Sequence, residues 1–410
     1  YGALRAVRPL ARLSIPAAAV GGLLFASAAL ALRGSGALGI ALDTSLRAPL
    51  QTVFFTTIGL GATLSLLRAG GWRTGFFWLI ASLTAVVQNL AGIGLARALD
   101  APAALGIICG SLTLTGGPST GVAFEPLFAS MGIEGAGALI IASATFGIFT
   151  ASIVGNPVAT FLIRRFRLAP TTDEGAATEG VRGAAVEREA ERLWAFGPRF
   201  EADEADETDK MDAVARRTPE AATLTSQTVL YNLLLIFVAM GLGALIYLNV
   251  SSPRFTFPAY IGAMLVAALL RNLDDRFGWF RIDVRAVELI GTVSLALFLV
   301  IALMNLELWK MAGLALPMLV ILTMQVLLMI VYAVVVTFFL MGRDYEAAVT
   351  ASGHVGFGLG ITANAVANME ALASRFAPAP RSFLVVPVVG AFFIDFSNSL
   401  IITLFANLVR

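Results

Sequence analysis

Charge, cysteine and histidine are all scarce in this chain, and each shortage removes a class of function. Asp, Glu, Lys and Arg make up 13% of the 410 residues; a soluble domain carries roughly 25%. The net charge of +1 leaves no basic surface for nucleic acid. The single cysteine, Cys109, excludes an internal disulfide and a thiolate metal cluster. The single histidine, His354, excludes a zinc site of several histidines and an HExxH protease. No GxxxxGK(S/T) phosphate loop occurs, which argues against a fused ATPase.

What fills the chain is apolar: 58% of its residues are hydrophobic and the mean hydropathy is +0.84. Long apolar runs recur at Pro16–Leu32, Pro49–Leu67, Gly75–Ala96, Gly135–Ile163, Leu224–Val250, Val287–Leu306, Met311–Met341 and Ser382–Leu408. About 20 apolar residues cross the hydrocarbon as a helix, and the alternating pattern of a membrane β-barrel is absent. The chain is therefore expected to be an all-α polytopic membrane protein. Tyr1 to Arg12 reads as the basic tail of a helix whose beginning is missing.

Basic residues set the orientation. With Arg5, Arg8 and Arg12 in the cytoplasm, most other arginines, including Arg164, Arg165, Arg167, Arg271, Arg343 and Arg381, fall on that face. The stretch between Arg97 and Arg164 holds only Asp100, Glu125 and Glu134 as charges and belongs outside, as does the C-terminus. Glu125 is expected there as a solvated carboxylate. Residues 168–223 form the one hydrophilic segment, a cytoplasmic linker in which Val186–Phe196 has the pattern of a short amphipathic helix. The linker separates a first membrane repeat, residues 1–167, from a second, residues 224–410.

The two halves resemble each other. IPAAAVGGLL from Ile15 pairs with FPAYIGAMLV from Phe257, Trp72 with Trp309, and Gln88 with Gln325. Counting the truncated first helix, each half holds about five spans, and an odd number turns the second half over in the membrane. In each half a glycine-rich stretch stands where a helix should be: GSLTLTGGPSTG from Gly110 and SGHVGFGLG from Ser352. Glycine and proline interrupt helices, and broken backbone at membrane depth survives only inside protein or around a wet cavity. Both stretches are expected to be tips of re-entrant hairpins, Pro102–Glu134 from outside and Glu346–Pro380 from the cytoplasm. The alternative is that the glycines only permit close helix packing.

Paired tips of this kind suit a secondary transporter that moves a small anion with a cation. Helix N-termini present partial positive charge to a carboxylate, and hydroxyls and carbonyls suit a hard cation such as Na⁺. The candidate substrate-binding residues are Thr115, Gly116, Gly117, Ser119 and Thr120 at the first tip and Gly356, Gly358, Gly360, Thr362 and Asn364 at the second. Gln88 and Asn89 either bind substrate as well or hold a neighbouring helix. The candidate cation ligands are Ser111, Thr113, Asn156, Asn368, Asp395 and Asn398. Asp395 lies deep inside an apolar run, where an ionisable group is functional by default, or else it is a protonated structural group. His354 is expected as a tip residue with a structural hydrogen bond. An ion channel with re-entrant loops is the rival class, and a membrane enzyme lacks a paired acid and base.

Taken together, SIPAAAVGGLL, TTIGLGATLSLLRAGG, CGSLTLTGGPSTGVAF, ASGHVGFGLGITANAVANMEA and SFLVVPVVGAFFIDFSNSLI resemble the signature stretches of the bacterial sodium:glutamate symporter family. The likeness runs nearly end to end outside the linker. It departs at GGPSTG, where the family has GGHGTG, and at ITANAVANM, where the family has ATPTAIANM. The resemblance implies Na⁺-coupled uptake of glutamate, or of a similar small carboxylate or amino acid, across the bacterial inner membrane. It also implies about ten helices with paired re-entrant hairpins, a homodimer, a transport domain moving against a scaffold, and Na⁺ as coupling ion with no other cofactor.

Overall fold

The computed structural model describes Phe25 and residues 43–65, 71–168, 224–251, 257–304 and 313–410. The amphipathic stretch Val186–Phe196, the N-terminal basic tail and most of the first apolar run lie outside the described residues. Every regular element among the described residues is helical. In chain order they are α1 (Arg47–Gly61), α2 (Gly71–Ala98), α3 (Ala103–Ile107), α4 (Gly117–Ser130), α5 (Ala136–Phe166) and α6 (Ser226–Val250). There follow α7 (Ala259–Phe277), α8 (Val284–Met304), α9 (Ala315–Tyr332), α10 (Tyr345–Leu359), α11 (Thr362–Arg375), α12 (Pro380–Val388) and α13 (Ile394–Val409).

Five helices are long and apolar enough to cross a membrane: α2, α5, α6, α8, and α9 with its continuation to Leu340. A sixth span arises if α12 and α13, bent by 43° across a wide turn at Val389–Phe393, are taken as one. Two expected elements fall short for identifiable reasons. Helix α1 has 15 residues, below the length of a full crossing. Helix α7 carries Arg271, Asp274, Asp275 and Arg276 in its last turns, which charge its end. Those charges tie α7 to its surroundings. Asp275 accepts from Thr63 and pairs with Arg271 at 3.0 Å. Asp274 accepts from the backbone N–H groups of Phe280, Arg281 and Ile282 at 2.7–2.9 Å, closing the turn after Gly278.

The helices sort into two packed groups. Helices α1, α6, α7 and α8 rest on one another around Val53, Leu60, Ile236, Ala239, Val266, Ala267 and Val287. Helices α2, α3, α5, α9, α10 and α11 surround a second, larger core that contains Phe77, Leu105, Ile140, Phe357 and Leu359 and runs on to Phe55, Tyr260, Met264 and Phe298 of the first group. The polar links between the groups cluster at α4. There the Arg47 guanidinium meets Glu125 at 2.5 Å and donates to the Val122 carbonyl at 3.1 Å. Gln51 donates to the Ala123 carbonyl at 3.0 Å, and Tyr260 packs edge-on against Phe124. Glu125 is thus a paired carboxylate and not the freely solvated one expected. Helix α4 brings it against α1, where a guanidinium is the nearest cation.

Inside the second group, backbone approaches backbone where small residues face each other. A Cβ on Gly92 of α2 would run into the carbonyl of Gly106 in α3, and one on Gly106 would meet the backbone of Gly92 and Ile93. Neither neighbour is a flexible side chain, so the helices would have to separate. Forced overpacking costs about 1–3 kcal/mol, and more where backbone must move. Gly106→Val is therefore expected to lower the melting temperature of the detergent-purified protein by several degrees. An unchanged melting curve would show that α2 and α3 do not cross at these glycines.

Candidate functional site

The first helix break follows α3. The chain enters a wide turn at Ile108–Leu112, in which Gly110 has φ −101° and ψ −137°, outside the helical region. It returns to helix only at Gly117, whose φ of +67° suits a residue without Cβ. Pro118 sits in the first turn of α4, where its missing N–H is no loss. The backbone groups freed by the break are met by side chains from distant helices. Asn89 Oδ1 accepts from the Ser111 N–H at 3.0 Å, and Asn398 Nδ2 donates to the Ser111 carbonyl at 2.9 Å. Thr113 donates to the Ile108 carbonyl at 2.6 Å.

The second break comes later than the glycine pattern predicts. Residues from Tyr345 to Leu359 form one continuous helix, so Ser352–Leu359 is helical, and the interruption lies at Gly360–Ile361. The glycines of this stretch serve packing. A Cβ on Gly356 would stand 2.6 Å from the backbone nitrogen of Ala365, and one on Gly358 would stand 3.0 Å from Met329 Sδ. Adjacent helices α10 and α11 lie this close only because Gly356 has no side chain. After the break, Asn364 Oδ1 accepts from the Ile361 N–H at 3.3 Å, while its Nδ2 donates to Ser152 Oγ at 2.6 Å. Asn368 donates to the Ala151 carbonyl at 3.1 Å, and Thr362 to the Gly390 carbonyl at 2.6 Å.

The two breaks meet. A Cβ on Gly117 would lie 3.1 Å from Ile361 Cγ2 and 3.8 Å from the Gly360 carbonyl oxygen. The N-termini of α4 and α11, each 14 residues long, therefore come together. Their partial positive charges converge on one place. Gln88 fastens one break to the other: its Nε2 donates to the Gly358 carbonyl at 2.8 Å, and its Oε1 accepts from Thr115 at 2.7 Å. Gln325 in turn donates to the Gln88 carbonyl at 2.7 Å.

Of the residues singled out in the sequence, Gln88, Asn89, Ser111, Thr115, Gly117, Gly358, Gly360 and Asn398 gather at this junction. Gly116 and the buried Thr120 pack on each other beside it, and Ser119 is half-buried in the first turn of α4. Asn364, Asn368 and Thr362 brace α11 against α5 and the turn at Gly390. Half-buried Asp395 lies one turn before Asn398 on α13, and Asn156 lies on α5 beside Gly155. His354 is fully buried with both ring nitrogens engaged, Nδ1 with Thr337 at 2.7 Å and Nε2 with Thr84 at 3.3 Å, so it is a structural residue. Gln325 is a junction residue that its pairing with Gln88 across the repeat could have flagged.

Comparison with known proteins agrees with this architecture. A sequence profile described as sodium/glutamate symporter matches residues 3–196 and 197–378. The chain is 39% identical over 400 residues to the sodium/glutamate symporters of Escherichia coli K12 and Shigella flexneri, covering 97% of this chain and 92% of each relative. It is 34% identical over 400 residues to that of Haemophilus influenzae, covering 97% of this chain and 91% of the relative. Matches of this extent reach through both helix breaks and the helices that brace them. The chain accordingly belongs to the sodium/glutamate symporter family, a family of transporters and not of enzymes.

Proposed function

We infer that this chain imports glutamate with Na⁺ across a bacterial inner membrane, binding its substrate where the two helix breaks meet. The convergence of the α4 and α11 N-termini at Gly117 and Ile361 carries this reading. A dicarboxylic amino acid offers negative charge to both helix ends. Asn89 Nδ2 is buried at the junction with no partner and is available to donate to a carboxylate. Ser119 and Thr120 in the first turn of α4 offer further donors. Ser111, Thr113, Asn156, Asn368, Asp395 and Asn398 are the oxygen-bearing residues nearest to hand for the coupling ion.

The arrangement of breaks supports alternating access through two inverted repeats, 1–167 and 224–410, joined by a cytoplasmic linker. Helix α2, the break after α3 and helix α5 recur in the same order as α9, the break after α10 and the bent pair α12–α13. Within this reading α3–α4 and α10–α11 are the re-entrant hairpins. Helices α1, α6, α7 and α8 form the fixed scaffold and the dimer contact, the second helix group moves, and the C-terminus is periplasmic.

Three outcomes check these statements. Reconstituted in liposomes, the protein should exchange internal unlabelled for external labelled glutamate, and only with Na⁺ present. A channel would give no such exchange. Cysteines replacing the exposed Ser130 and Glu134 should react with an impermeant maleimide from the periplasmic side, and those replacing the exposed Arg343 and Ser374 from the cytoplasmic side. Labelling of all four from one side would sink the inverted topology. Finally, a short crosslink between Gln51→Cys and Ala123→Cys should abolish uptake, with recovery on cleavage. Full uptake by completely crosslinked protein would mean that α4 does not move against α1.

A further inference from the structure

Helices α5 and α9 end side by side, and the charges gathered at that end are of one sign. Phe166, the last residue of α5, lies 5.3 Å ring to ring from Phe338 and 6.1 Å from Phe339, in the continuation of α9. Arg164, Arg165 and Arg167 are exposed on the α5 side and Arg343 on the α9 side. The Arg165 guanidinium stands 5.9 Å from the centre of the Phe166 ring, and that of Arg343 stands 4.7 Å from Phe339. Among the described residues none of these four arginines has an ion-pair partner. The acids that follow Arg343 are already committed, Asp344 to Arg381 and the Ala347 N–H, and Glu346 to the Arg381 and Ser382 N–H groups. Arg167 and Arg343 also hold left-handed backbone, with φ of +50° and +59°, where glycine ordinarily ends a helix. The rings of Phe166 and Phe339 remain exposed, as do Phe161 and Val335 about a turn further back. A second cluster of arginine and aromatic rings, at the end of α7, is balanced instead. There Arg276 stands over Phe277 and Trp279 stacks on the same ring, but Asp274 and Asp275 share the turn and Arg271 pairs with Asp275.

We propose that the joint end of α5 and α9 is a docking surface for an anionic phospholipid of the surrounding bilayer. The arginines take its phosphate, and its acyl chains lie over Phe166 and Phe339. The proposal goes beyond the transport reading and uses only the chain's place in a membrane. Both helices are long and apolar enough to cross, so their shared end lies at headgroup level. Clustered arginines there attract anionic headgroups, and a guanidinium meets two phosphate oxygens with parallel hydrogen bonds. Aromatic rings favour the same level of the bilayer. A general excess of basic residues on one membrane face would not need to converge. Here arginines from both halves of the chain meet around one set of rings. A zwitterionic lipid brings its own ammonium group and would leave the guanidinium charge unmatched. The rival occupant is the acidic stretch of the linker between Glu201 and Asp209. It offers carboxylates, but no apolar residue larger than alanine to cover the exposed rings.

Thermal unfolding of the full chain in detergent, titrated with phosphatidylglycerol or phosphatidylcholine in mixed micelles, reads this interaction apart from transport. Phosphatidylglycerol should stabilise the wild-type protein and saturate; phosphatidylcholine should not. The double variant Arg167→Gln/Arg343→Gln removes two charges that make no ion pair. It should need about thirty-fold more phosphatidylglycerol for the same stabilisation, about five-fold for each arginine. Arg276→Gln/Arg281→Gln removes the same charge at the end of α7, where acids balance it, and should leave the midpoint nearly where it was. Equal shifts in the two double variants would reduce the effect to overall charge and overturn the proposal. An equal response of the wild type to both lipids, or none to either, would overturn it as well. A phosphatidylglycerol response that emerges only after the six acids from Glu201 to Asp209 are replaced by their amides would assign the surface to the linker instead.

Discussion

The structure depends on one constraint: backbone N–H and C=O groups released from a helix in the buried interior must be satisfied by the protein itself. An unmet buried group costs about 1–3 kcal/mol, yet the chain interrupts two helices in its interior. It tolerates this because long side chains from other helices reach the exposed backbone. Asn89 and Asn398 take the two sides of the Ser111 peptide, and Gln88 takes the Gly358 carbonyl. Asn364 holds the N–H of Ile361. These amides serve because each carries a donor and an acceptor on one arm.

A functional geometry follows from that repair. Once the freed backbone is held, the helices that restart at Gly117 and Thr362 point their N-termini at a common place. The same amides cross-link α2 and α13 to the breaks, and Gln325 ties α9 to α2, so the second group of helices is fastened internally by polar as well as apolar contacts. The first group is joined to it at α4 by an ion pair, a glutamine and an aromatic contact, and by a continuous apolar core to which Phe55, Tyr260, Met264 and Phe298 contribute. An ion pair with both side chains partly exposed contributes little to stability, so the shared apolar core carries most of this seam. The anchoring at the base of α10 is firmer. Glu346 accepts from the Arg381 and Ser382 N–H groups at 3.2 and 2.9 Å, and Asp344 pairs with Arg381 at 3.0 Å.

Much of the architecture was legible in residue order, because the solvent imposes it. The apolar runs from Gly75, Gly135, Leu224, Val287 and Met311 became spans within a few residues of their expected ends. The first break also lay where Gly116, Gly117 and Pro118 placed it. The second did not. Ser352–Leu359 looks like broken backbone by composition and is helical, because in a tightly packed bundle glycine is also the residue that lets two helices touch. Composition cannot separate those two uses; the position of Ala365 against Gly356 does. Glu125 was misjudged for a related reason: a charge looks solvated until the helix that carries it is laid against Arg47.

By itself, the sequence determined that this chain crosses a membrane repeatedly as helices, that it interrupts those helices in both halves, and that it belongs to one transporter family. Hydropathy, helix-breaking residues and motif strings are local properties, and local properties can be read along a chain. Only the tertiary structure decided which polar groups remain free. Gln88, Thr115 and His354 are engaged by partners 17 to 270 positions away, whereas Ser111, Ser352, Asn156 and Asn398 each keep an oxygen unpaired. Whether a buried oxygen is spent or available depends on what stands opposite it, and that is fixed by packing between halves, not by neighbours in sequence.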